Sequence, residues 1–261
     1  MCRLPGDGEA RESAQGAPLF DYLVELGATV KQQYPKVFLT TLAYRKNQTE
    51  QPPRAIKLPD NVIVIFAPID HPSNSDTLRN ISEWARHTSH LWVWYYPNTY
   101  GETLPLGNLG RMAADFRLFH KVGVEGIFSE HDTEGVYRSS GLANLQTWLM
   151  LRLRWHPDQD LEALITDFTD RYYGAAAPLI REYSACLEAD TPAMGTRMSW
   201  NAPAGQFRHL TPELLVWSQR LFDRARAVVA TNPVSLAWLC QRRSRKNIRQ
   251  KTASYPDRPA P

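Results

Sequence analysis

Carboxyl and aromatic side chains follow three apolar runs that are predicted to be strands. Glu130 follows Val124 to Ser129, and Asp70 with His71 follows Asn61 to Ile69. The third run, His90 to Tyr96, ends in aromatic residues that continue into the next loop. They are Trp94, Tyr95, Tyr96 and Tyr100. Because parallel strands of a barrel present their carboxyl ends at one mouth, we expect these side chains to converge there.

Two carboxyl groups beside a set of rings are typical of sites that act on sugars. Hydrolysis of a glycosidic bond uses a pair of carboxyl groups roughly 5 to 9.5 Å apart. Aromatic rings stack on the apolar faces of pyranose rings, while polar neighbours bind the hydroxyls. We therefore interpret Glu130 and Asp70 as candidate catalytic residues. The candidates for substrate binding are His71, Trp94, Tyr95, Tyr96 and Tyr100.

Each of these residues also has a purely structural interpretation. Asp70 precedes Pro72 by two positions and can shape a turn, His71 can cap its loop, and Glu130 can bind a sugar hydroxyl without catalysing a reaction. Along the third run the side chains alternate between two faces. One face carries Trp92, Trp94 and Tyr96, and the other carries Val93 and Tyr95. One of the two faces must pack against helices, and its rings belong to the core.

The elements that position these residues alternate between strand and helix. The predicted strands are Lys36 to Tyr44 and the three runs above, and helices begin near Pro18, Ser75 and Asn108. After Glu134 the pattern changes to helices alone. We predict an α/β fold, a partial (β/α)8 TIM-like barrel of about four strands followed by an α-helical C-terminal region. An open α/β sheet with a helical appendage is the alternative.

The chain divides into four predicted parts. Residues 1–17 form an irregular N-terminus, 18–137 half of a (β/α) barrel, 138–232 a helical region, and 233–261 a basic, disordered tail. The tail carries seven Lys or Arg and one Asp, a net charge of +6, so the rest of the chain carries about −3 and the positive charge lies in the tail. Because no aromatic residues alternate with this basic cluster, we do not expect a nucleic-acid partner.

Several other classes of protein are not expected. No apolar run reaches the roughly 18 residues that span a bilayer, and the first 16 residues lack the apolar core of a secretory signal. We therefore predict no membrane contact and a cytoplasmic location for the chain as written. Three separated cysteines and the absence of glycine-rich phosphate loops predict no metal and no cofactor. A half barrel leaves two strand edges unpaired, which favours self-association.

A longer set of motifs resembles a known family. The successive segments are YPKVFLTTLAYRKNQTEQPP, NVIVIFAPIDHP, LWVWYYPNTYGETLPLGNLGRMAADFRLFHKVGVEGIFSE and LQTWLMLRLRWHPDQDLEALITDFTDRYYGAAAPLIREY. Over residues 18–190 they resemble domain-of-unknown-function family 4838, large bacterial proteins with a glycoside-hydrolase-like barrel akin to the β-hexosaminidase and α-glucuronidase groups. The most specific part runs from Trp148 to Tyr173.

The resemblance implies that the chain begins in the middle of the barrel and lacks its first four strands. Hexosaminidase-type enzymes carry their acidic pair in that portion, and a full-length relative could be secreted. We therefore expect a carbohydrate-directed glycoside-hydrolase-like domain, a fragment of a larger hydrolase that is inactive alone, with an oligosaccharide or glycoside as its partner. The alternative is a non-catalytic remnant that binds carbohydrate or another protein.

Overall fold

The computed structural model describes residues 17–44, 49–53, 56–68, 75–97, 104–130, 142–194 and 203–240, without the side chains of 75–79, 238 and 240. These residues belong to two compact units. The sheet unit takes its described residues from 17–97 and 114–130, and the helical unit takes them from 104–113, 142–194 and 203–240. Each unit has its own buried core.

Four strands of the sheet unit form one parallel sheet in chain order. They are β1 (Leu39–Tyr44), β2 (Val62–Ala67), β3 (His90–Tyr95) and β4 (Gly126–Ser129). Leu39 lies opposite Val62, and Trp92 lies opposite Gly126. The predicted parallel α/β arrangement of four strands is confirmed, and its sequential strand order is that of a segment of a (β/α) barrel.

One face of this sheet is covered by helices. These are α1 (Ala17–Gln33), α2 (Ser75–His87) and α3 (Leu109–Lys121). Val64, Phe66 and Val93 point to this face and are fully buried. Between α1 and α2, the rings of Phe20 and Trp84 meet edge to face with their centroids 5.5 Å apart. The apolar run of β2 thus supplies the core that its sequence predicts.

Hydrogen bonds from side chains anchor the connection between β1 and β2. The Thr49 hydroxyl accepts from the Tyr44 N–H at 2.8 Å and lies 2.9 Å from the Leu42 carbonyl oxygen. The next residue, Glu50, is buried, and its carbonyl oxygen accepts from the indole N–H of Trp84 at 2.8 Å. Asn80 donates to the Glu50 carboxylate at 3.1 Å. Thr49 and Glu50 of this connection are therefore held against the end of β1 and against α2.

The described residues of the helical unit contain five further α-helices, and the first four fall in residues 138–232, which the sequence predicts to be helical. They are α4 (Ala143–Trp155), α5 (Leu161–Tyr173), α6 (Ala177–Ala193), α7 (Pro212–Val228) and α8 (Pro233–Cys240). The Asp160 side chain caps α5 by accepting from two backbone N–H groups, and Thr211 caps α7. Gly174 ends α5 with a φ of 54°. No helix in the described ranges is long and apolar enough to cross a membrane.

Helix α8 extends the helical part into the segment that the sequence assigns to the tail. The Asn232 side chain accepts from the N–H groups of Val234 and Ser235 at 3.1 Å, and Pro233 occupies the first helical position. Leu239 is buried. The basic cluster that suggested disorder begins only after this short apolar helix, and residues 241–261 lie outside the described residues.

The segment that leads into α3 is fixed to α6 by backbone hydrogen bonds. The Gly107 N–H donates to the Thr191 hydroxyl at 3.0 Å. The two carboxylate oxygens of Glu188 accept from the N–H groups of Leu109 at 2.7 Å and Gly110 at 3.0 Å. The first amides of α3 are therefore satisfied by a side chain from another helix, which replaces a local cap.

This arrangement predicts a pH dependence of stability. Burial raises the pKa of the Glu188 carboxyl, although the N–H groups of Leu109 and Gly110 oppose the shift. The folded protein then binds this proton more tightly than the unfolded chain does, so the free energy of unfolding falls as the pH rises from about 4.5 through the folded-state pKa. The side chain of Glu188→Gln does not titrate, so we expect this variant to lack the fall in the free energy of unfolding that Glu188 causes.

Urea unfolding at intervals between about pH 4 and pH 8 measures the effect. Glu182→Gln is the matched control, because Glu182 is exposed on the same helix. Its profile should follow that of the wild type. Identical pH profiles for the wild type and Glu188→Gln would contradict the assignment.

Candidate functional site

Three of the predicted site residues lie together on the face of the sheet that the helices leave open. Trp94 and Tyr96 lie at the carboxyl end of β3, and Glu130 directly follows β4. Tyr96 packs on Ala67 at the end of β2, and Tyr44 and Trp94 pack against this pair. The carboxyl ends of all four strands therefore contribute to one surface, as a barrel mouth requires.

Glu130 is held in place by its backbone and by its side chain. Its N–H donates to the Tyr95 carbonyl oxygen at 2.9 Å, so Glu130 continues the ladder between β3 and β4. Its Oε2 atom accepts from the indole N–H of Trp94 at 2.5 Å. The bond to Oε2 orients the carboxylate across the sheet. Because a carboxylate accepts through both oxygens, Oε1 can receive a hydrogen bond from a ligand hydroxyl.

Rings surround this carboxylate. Trp94 and Tyr96 are nearly parallel, with an interplanar angle of 23° and centroids 6.5 Å apart. Phe128 meets Trp94 at 63° with centroids 4.6 Å apart, and 54% of its surface is exposed. We call Tyr44, Trp94, Tyr96 and Phe128 the aromatic cluster. Its exposed ring surface can stack on a flat apolar ligand face while Glu130 binds polar groups at the ligand edge.

Tyr95 lies on the opposite face of the sheet from Trp94 and Tyr96. It is buried against Phe116 and Phe119 of α3, with centroid distances of 5.1 and 5.8 Å. Its hydroxyl donates to the Asp115 carboxylate at 3.3 Å. The alternation along β3 thus assigns Tyr95 to the core, and we leave it out of the candidate site.

The remaining predicted site residues, Asp70, His71 and Tyr100, lie outside the described residues. The distance between the carboxyl groups of Asp70 and Glu130 therefore stays a prediction. Among the described residues on the open face of the four strands and directly after them, only Glu130 is acidic. In the part of the chain that the structure describes, no group of three His, Cys, Asp or Glu residues is arranged to hold a metal ion.

Two members of the aromatic cluster, Tyr44 and Phe128, were not among the predicted site residues. Each lies on the open face of its strand, at or near the carboxyl end. The signal for both was present in the sequence. Phe128 is two residues before Glu130 and shares its face by the strand period of two, and Tyr44 is the last residue of its run.

Comparisons with known proteins place the chain in a family. The comparison with curated proteins yields no match. The family model described as domain of unknown function (DUF4838) matches residues 5–185. The matched part contains the whole four-stranded sheet with Trp94, Tyr96 and Glu130, and also α4 and α5. Since this match covers most of its length, the chain belongs to the DUF4838 family.

Proposed function

We propose that this chain supplies a carbohydrate-binding surface of a glycoside-hydrolase-like barrel, formed by the aromatic cluster and Glu130. The observation that carries the proposal is the bond from the Trp94 indole to the Glu130 carboxylate, which fixes an acceptor beside a ring. Sugars present axial C–H groups on one face and hydroxyls around the edge. A ring beside an oriented carboxylate is complementary to both.

Binding without hydrolysis is the second candidate, and one observation favours it for this chain alone. Glu130 is the only acidic residue on the open face of the four described strands or directly after them. Cleavage of a glycosidic bond uses a second carboxyl group on the other side of the bond. Asp70 is the candidate for this second group, so its contribution decides between the two functions.

Titration of oligosaccharides tests the proposal. Calorimetry with soluble hexaoses of glucose, xylose and N-acetylglucosamine should find at least one sugar class that binds. Glu130→Gln should lower its association constant about tenfold, because a charged acceptor is replaced by a neutral one in a partly buried position. Glu25→Gln is the matched control, since Glu25 is exposed on α1, which covers the other face of the sheet. It should bind as the wild type does.

The same sugars distinguish binding from catalysis. Product analysis after long incubation should show no cleavage if the chain binds only, and cleavage that is lost in Asp70→Asn if Asp70 completes a pair. Failure of every sugar class to bind the folded wild type would overturn the proposal. So would a Glu130→Gln variant that binds as tightly as the wild type.

A further inference from the structure

The open face of the sheet exposes large apolar side chains beyond the candidate site. Leu42 on β1 is 40% exposed and Trp92 on β3 is 39% exposed. With Phe128 on β4 they extend across the width of the sheet. Contiguous exposed apolar surface of this kind marks an interaction surface.

The two edge strands offer backbone groups that match one another. Leu39 donates its N–H toward β2, to the Asn61 carbonyl oxygen at 2.9 Å. Because successive residues of a strand direct these groups to opposite sides, Thr40 and Leu42 direct theirs away from the sheet. On the other edge, Glu130 donates toward β3, to the Tyr95 carbonyl oxygen at 2.9 Å, so Phe128 also faces β3 and the alternation directs the amides of Ile127 and Ser129 outward.

A groove runs beside β1 on this outer side. Its volume is about 460 Å³, and Leu19 of α1 forms one side of it. The other lining residues belong to the strands and to the connection after β1. They are Thr40, Thr41, Leu42, Tyr44, Thr49 and Ile65. The groove therefore lies along the edge where a further strand would pair with β1.

Charges at the beginnings of the two edge strands are complementary. Lys36 lies three residues before β1 and is exposed. The neighbouring Lys31 is already paired with Asp60. Glu125 immediately precedes β4, and 48% of its side chain is exposed next to His90. Parallel pairing of β4 with β1 brings the beginnings of both strands to the same level, so Lys36 of one copy would lie near Glu125 of another.

We propose that a second copy of this chain occupies the groove, with the β4 edge of each copy paired with the β1 edge of the other. A twofold axis parallel to the strands produces both contacts at once. Each copy supplies four parallel strands, and eight close a (β/α) barrel. The open faces of both copies then form the interior of one barrel. This proposal does not depend on carbohydrate binding.

Light scattering coupled to size exclusion tests the oligomeric state. Between about 1 and 100 μM the wild type should reach twice the chain mass of 29.8 kDa. Leu42→Asp places a charge in the groove and should raise the dimer dissociation constant at least 100-fold. Val216→Asp is the control, because Val216 is 54% exposed on α7 of the helical unit. Val216→Asp should dimerise as tightly as the wild type does. If Leu42→Asp had the same dimer dissociation constant as the wild type, the proposal would be overturned.

Reversing the charges of Lys36 and Glu125 tests whether the β4 edge of one copy pairs with the β1 edge of the other. Lys36→Glu and Glu125→Lys should each weaken the dimer about tenfold, and the double variant should restore it. A double variant no tighter than the single variants would exclude the β4 to β1 contact.

Hydrogen exchange on the wild type keeps the proposal testable if a variant fails to fold. The amides of Thr40, Leu42, Ile127 and Ser129 should exchange more slowly as the protein concentration rises. A monomer at every concentration would overturn the proposal. Slow exchange of these amides at every protein concentration would also overturn the proposal, because another segment of the same chain would then be paired with the edge.

Discussion

We expect Gly107→Ala to lower the free energy of unfolding of the helical unit by about 3 kcal/mol. A Cβ atom at this position would lie 2.1 Å from the carbonyl oxygen of Leu187 and 2.5 Å from the backbone nitrogen of Glu188. These are backbone atoms of α6 and cannot rotate away. The segment would have to move off α6, which would break the bond from the Gly107 N–H to Thr191.

Gly110→Ala is the matched control for this substitution. Its Cβ atom would meet only the end of the Glu188 side chain, at 3.3 Å, and alanine favours the helix in which Gly110 lies. The change in stability should stay within about 1 kcal/mol. Urea unfolding followed by circular dichroism compares the two variants with the wild type. Equal stabilities of the two variants would show that the close approach of Gly107 to α6 is not required.

The second large effect is expected at Trp94. Trp94→Ala should lower the association constant of any oligosaccharide that binds the chain about 30-fold, or about 2 kcal/mol. The substitution removes the ring between Tyr96 and Phe128 and also removes the donor that orients Glu130. Calorimetric titration with the sugar found to bind the wild type measures the loss.

Two further variants separate the contributions of Trp94. Trp94→Phe keeps an aromatic face but cannot donate to Glu130, so it should retain more of the affinity than Trp94→Ala. Trp92→Ala removes an exposed ring from the same face, two residues nearer the start of the strand, and should bind sugar normally. If Trp92→Ala lost as much affinity as Trp94→Ala, the ligand would lie deeper along the sheet than we propose.

Most of the fold could be predicted from local patterns in the sequence. The apolar run of β2 and the alternation along β3 identify strands, and helices between them predict parallel pairing. The beginning of β1 was less predictable. The run from Lys36 looks like a strand from its first residue, but Val37 donates to the Tyr34 carbonyl oxygen in a turn after α1. The strand therefore starts only at Leu39.

Side-chain alternation divided β3 correctly into two sets but could not say which set was buried. That choice depends on which side the helices cover, and this is a property of the whole unit. Trp94 and Tyr96 lie on the open face, whereas Tyr95 packs on α3. The contact between Gly107 and Leu187 was beyond prediction, because the two residues are distant in sequence and no local pattern records the approach.

Thr49 limits the length of the β1 edge that is available for pairing with a further strand. An exposed edge of a parallel sheet is a template for the open-ended stacking of chains that leads to aggregates. The Thr49 hydroxyl accepts from the Tyr44 amide and lies within 3.0 Å of the Tyr44 and Leu42 carbonyl oxygens. It covers the carboxyl end of the β1 edge as a neighbouring strand would. In the part of the chain that the structure describes, only a short length of that edge is left uncovered, which limits recruitment of long β segments from unfolded chains.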